Sequence, residues 1–128
     1  MTRLHLLPDA EVRAATRAAR DAMQTETELP AAASAGRRAL GPLPGFANGD
    51  ALASAVLVAL DPSRMAIYDR RAHAGLTELG LHLDHRFGRY SRYMTQVGAL
   101  VGALNSSDDP WSVRDVDLSL FWVGRPRG

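Results

Sequence analysis

Residues 89–104, RYSRYMTQVGALVGAL, set Tyr90, Tyr93, Met94, Val97, Leu100, Val101 and Leu104 at spacings of three and four. On a helix of 3.6 residues per turn, that spacing brings all seven to one side. A helix with such a face needs other apolar surfaces to lie against, so this segment commits the chain to a helical core. Tyr93, Val97, Leu100 and Val101 are the residues expected at its centre.

The rest of the sequence offers partners of the same kind. A helix is expected over 9–25, capped by Asp9, with Val12, Ala15, Ala19, Ala22 and Met23 at helical spacing. A shorter one over 31–39 is stopped by GPLPG, because two prolines and two glycines in five positions cannot continue a helix. Residues 50–60 form the next, with Asp50 as the expected cap and Leu52, Val56, Leu57 and Leu60 on one face. MAIY, residues 65–68, reads as extended and is too short to found a sheet. Asp69 then holds a cap position ahead of a helix over 70–79. The last helix, 112–123, opens with Ser112 and with Asp115 three residues on, a capping box, while Trp111 is placed to staple Val116. Trp111, Phe121 and Trp122 are expected to pack inward. With no alternating strand pattern, the fold class is all-α: a compact five- to six-helix bundle, one domain over 1–128, with a helix-hairpin-helix element near 31–60.

Composition narrows the chemistry. At 128 residues, 46% hydrophobic and 23% charged, the chain suits one ordinary globular core. It has no cysteine, which removes disulfides, thiol nucleophiles and thiolate metal sites. With no signal-peptide pattern and no apolar run of about 18 residues, a cytoplasmic chain without a membrane partner is expected. All 15 basic residues are arginine, so no side-chain amine exists to form a Schiff base. A net charge of +1 does not by itself demand nucleic acid.

Two stretches can carry function. LPGFANGDALASA, residues 43–55, is either a plain turn into a helix or a phosphate grip, because glycines permit close backbone approach and a helix start presents unpaired N–H groups. In the second case Gly45, Phe46, Ala47, Asn48 and Gly49 are the contact residues. Asp69 is either a helix cap or a carboxylate that steadies a cationic centre or activates water, with Arg70 and Arg71 beside it to hold phosphates. Arg86, Arg89 and Arg92 can form a further basic stripe or an ordinary solvated face. His82 and His85, with Asp84 between them, read as solvated or capping residues of a loop rather than as ligands, so no metal site is expected, and no cofactor is implied.

The order LPGF, ASA, IYDRRA, SRYMTQVGALVGAL and WSVRDVDLSLFWVG, over roughly residues 38–124, resembles the helix-hairpin-helix DNA glycosylase superfamily, especially bacterial proteins with an 8-oxoguanine DNA glycosylase-like fold. The resemblance implies a DNA-repair protein that grips double-stranded DNA through the hairpin and hydrolyses the N-glycosidic bond of a flipped base with Asp69 as the essential carboxylate. This chain has Ala47 where the family's hairpin usually has its second glycine. It also lacks the lysine of the bifunctional members, so any enzyme of this type would be a monofunctional hydrolase. The alternative is a non-catalytic helical interaction module derived from the same fold, acting as a homodimer or with a partner chain.

Overall fold

A computed structural model describes residues 9–43, 46, 49–84, 86–106 and 108–126. Six helices follow one another: α1 (Asp9–Gln24), α2 (Leu29–Leu40), α3 (Asp50–Leu60), α4 (Arg70–Glu78), α5 (Arg89–Leu104) and α6 (Val113–Val123). Among the described residues all regular structure is helical, so the all-α expectation holds. The second helix starts two residues earlier than its sequence suggested, since Pro30 lies in the first turn, where a missing N–H costs nothing. Pro44, Gly45, Ala47 and Asn48 lie outside the described residues, and with them the hairpin expected between α2 and α3.

The bundle is built from α1 against α2, α2 against α5, and α4 against α6. Met23, Leu40, Leu57, Leu76, Tyr93, Met94, Val97 and Leu120 are fully buried between them. Small residues set how close the helices come. A Cβ on Gly36 would lie 2.8 Å from Met23 Cγ and 2.9 Å from Leu57 Cδ2. A Cβ on Gly75 would collide with the Leu120 carbonyl, and one on Gly124 with that of Arg71. The α4 and α6 backbones are therefore in direct contact. Arg64 closes the end of α1, donating to the carbonyls of Met23 (2.7 Å) and Glu26 (2.6 Å) while its Nε binds Asp61 (2.7 Å).

Residues 65–68 pass through the core without regular secondary structure, so no helix or strand ladder satisfies their backbone. Side chains do so instead. Ser54 Oγ accepts the Tyr68 N–H (2.9 Å), and its single proton lies between the carbonyls of Ala51 (3.1 Å) and Tyr68 (3.3 Å). Tyr90 donates to the Ala66 carbonyl (2.8 Å), and Tyr93 to that of Ile67 (2.9 Å). Asp117 Oδ1 accepts the Ile67 N–H (3.3 Å). Ser54 and Asp117, both buried, thus have a structural use in this strap.

Four expectations need correction. Leu100 and Val101 are only partly buried, because the end of α5 outruns the helices packed on it and residues 102–106 are exposed. Phe121 and Trp122 are 47% and 61% exposed. The face of α6 turned inward is Val113, Val116, Asp117 and Leu120, which leaves Phe121 and Trp122 on the other side. Asp50 does not cap α3: it is the first helical residue after Gly49, and its carboxylate binds two arginines instead. Asp9 is likewise inside α1, 3.6 Å from Arg13. Ser112 and Asp115 do form the expected capping box.

Candidate nucleic-acid interface

The end of α2, the start of α3 and the start of α5 meet around a cleft of about 390 Å³. Arg37, Arg38, Arg86 and Arg89 line it, against the single carboxylate of Asp50. The geometry follows from local sequence. Arg37 and Arg38 fall in the last turn of α2, where cations suit the negative end of the helix dipole. Asp50 in the first turn of α3 suits the positive end. Asp50 Oδ1 accepts Arg37 Nε at 2.9 Å, and Oδ2 accepts Arg89 Nε at 2.9 Å and Nη2 at 2.8 Å. One acid, its side chain 14% exposed, thereby braces three helices and leaves the cleft with surplus positive charge.

Two further features add to that charge. Gly88, the residue before α5, is left-handed (φ 82°) and provides no side-chain cap, and Gly49 before α3 provides none either. Helix starts without a capping side chain leave first-turn N–H groups available to an anion. Arg38 is exposed and makes no ion pair with a described residue, so its guanidinium can meet a ligand directly. Arg86, also exposed, shares Asp84 with Arg92. That carboxyl is held below the ordinary range by the Arg86 N–H and by both guanidinium groups.

Asp69 belongs elsewhere. Its Oδ1 accepts the Ala72 N–H at 2.8 Å, which makes it the N-cap of α4. It also lines a separate cavity of about 200 Å³ between α4 and α6, with Ile67, Ala72, Arg114, Asp117, Leu118 and Phe121. Burial pushes the Asp117 carboxyl up; the Ile67 N–H and Arg114 oppose this, and Asp69 adds to it. The cap engages one oxygen of Asp69 only, so capping and a role in the cavity are compatible.

The other residues singled out in the sequence are dispersed. Phe46 is 1% exposed, so its ring serves the core and faces no ligand. Gly45, Ala47 and Asn48 lie outside the described residues, and Gly49 is the residue before α3. Arg70 is exposed. Arg71 is engaged within the fold: its Nε donates to the Phe121 carbonyl (2.7 Å) and its guanidinium lies 3.5 Å above the Phe121 ring. Of the basic stripe, Arg86 and Arg89 reach the cleft, while Arg92 holds the turn before α5. His82 is exposed and gives its carbonyl to Gln96 (2.7 Å), and His85 lies outside the described residues. Sequence reading passed over Arg37, Arg38 and Phe87. The adjacent arginines of GRRAL and the aromatic inside HRFGR were the available signals.

No protein-family model matches the chain, and no curated protein or solved structure gives a significant match. The likeness to the glycosylase superfamily therefore rests on the motifs that suggested it.

Proposed function

We propose that this protein binds DNA through its phosphate backbone, at the arginine-lined cleft between α2, α3 and α5. The observation that carries the reading is the grouping of Arg37, Arg38, Arg86 and Arg89 around one carboxylate, beside helix starts without capping side chains. Guanidinium groups and first-turn amides both favour phosphate oxygens, and such contacts position a nucleic acid without reading its sequence. Binding to a duplex across a salt series tests this. Affinity should fall steeply with salt, and Arg38→Ala should weaken binding and flatten the slope by about one unit. No binding at low salt, or binding indifferent to salt, overturns it.

Hydrolysis of an N-glycosidic bond is the narrower form of the same reading, with Asp69 as its carboxylate. What favours it is the place of Asp69 in the wall of the α4–α6 cavity. Asparagine caps about as well as aspartate, so Asp69→Asn should leave folding intact and abolish base release from duplexes carrying oxidised, deaminated or alkylated bases. The association reading has its own observation: Leu118, Phe121 and Trp122 form an exposed apolar stripe along α6. A monomer at all concentrations in sedimentation would remove the homodimer.

A further inference from the structure

Phe87 is wholly exposed, at 103% of its reference area, whereas the next most exposed large apolar side chain, Trp122, reaches 61%. Its backbone is nonetheless held firmly. Arg92 Nη1 donates to the Phe87 carbonyl (2.6 Å), and Nη2 to the Arg86 carbonyl and to Asp84 Oδ1 (both 2.8 Å). Asp84 in turn accepts the Arg86 N–H (3.1 Å) and Arg86 Nε (2.9 Å). Gly88, left-handed, turns the chain into α5. A turn fixed in this way holds the backbone that carries the ring, so only the side-chain torsions of Phe87 remain to be ordered on binding.

Phe87 lines the same cleft as Arg38, Arg86 and Arg89, with its ring open to solvent. A flat apolar surface beside cations matches a nucleotide, whose base offers a π-face and whose phosphates offer charge. Bases inside a continuous duplex have both faces covered by their neighbours. An unpaired base does not.

We infer that Phe87 is a stacking platform for an unpaired nucleobase whose flanking phosphates lie in the arginine cleft, so that the protein prefers single-stranded or locally unpaired DNA to an uninterrupted duplex. This rests on the phosphate reading of the same cleft. The charge around Phe87 favours a nucleotide over an apolar pocket on another protein, where the ring alone would serve as anchor.

The test uses the full chain with three fluorescent probes: a 21-nucleotide single strand, its duplex, and the same duplex with one unpaired central adenine. The strand and the bulged duplex should bind about tenfold more tightly than the paired duplex, a typical worth of one base–aromatic stack. Phe87→Ala should remove that preference, leaving duplex affinity and the salt slope as they were. Phe87→Trp should keep it. The ring contributes nothing to the core, so the melting temperature of each variant should match that of the parent. Equal loss on all three probes, or no loss on any, overturns the stacking role. If Arg38→Ala still weakens duplex binding while Phe87→Ala is silent, stacking falls and the phosphate reading stands. If the parent protein binds none of the three at low salt, the phosphate reading falls and stacking falls with it.

Discussion

The strap at residues 65–68 and the cleft between α2, α3 and α5 both bring polar groups into a helical bundle, and they resolve them in opposite ways. In the strap, the backbone groups of Ala66, Ile67 and Tyr68 find partners on Ser54, Tyr90, Tyr93 and Asp117. In the cleft, Asp50 holds only Arg37 and Arg89, Arg86 shares Asp84 with Arg92, and Arg38 makes no ion pair with a described residue. A region whose polar groups are matched internally contributes to stability, and changes there should appear in unfolding. In a region left with surplus charge, the guanidinium that has no carboxylate, here Arg38, contributes little to stability and is free to act on a ligand.

High pH should sharpen the contrast most. Burial raises the pKa of Tyr90 and Tyr93 well above the usual tyrosine value, so the unfolded chain releases these protons first. The stability tied to the two phenols is present below about pH 10 and is lost as pH rises beyond it, at about 2.7 kcal/mol per pH unit for both together. Urea unfolding at pH 9, 10 and 11 measures the slope. Burial raises the Tyr68 phenol as well, so Tyr90→Phe and Tyr93→Phe should each reduce the slope without abolishing it, and a flat profile in the parent would show the phenols to be accessible.

Ser54→Ala should follow, at about 1–3 kcal/mol, because it strands the N–H of Tyr68 in the core. A loss below about half a kcal/mol would mean that water replaces the hydroxyl, and the strap would then be less closed than its geometry indicates. Asp69→Ala should cost about 1 kcal/mol through the lost cap, and Asp69→Asn almost nothing. Equal losses from the two would put the contribution of Asp69 in its charge. Arg38→Ala should have the smallest effect on unfolding, within about half a kcal/mol, while weakening DNA binding. A large stability loss there would erase the distinction between the two regions.

The helices were legible in the sequence because periodicity and capping are local: the five-residue break at GPLPG and the Ser112–Asp115 box each act within a few positions. The strap was legible only as a short apolar run, since the partners of its backbone come from α3, α5 and α6. The cleft was hidden for the same reason, as Asp50 joins arginines 13 and 39 positions away. Asp50 reads as a cap until both partners are placed. Phe121 and Trp122 were misread because apolar spacing shows that residues share a helix side, but not whether that side meets a neighbour. Asp69 was legible as a cap, and the cavity beside it depends on α6, far along the chain.

The helix α5 begins at the cleft with Arg89, Tyr90 and Ser91 and ends in the exposed residues beyond Val101. Sixteen residues at a rise of about 1.5 Å set those two ends some 20 Å apart. Beyond the unbonded amides of its first turn, the amides bonded within α5 should exchange with solvent on a gradient, slowest around Tyr93 to Val97, whose side chains are fully buried, and faster towards 101–105. Fraying would start at the end remote from the ligand. The arginines would stay assembled while the other end of their own helix opens and closes, so local melting and loss of the cleft would be separate events on separate timescales.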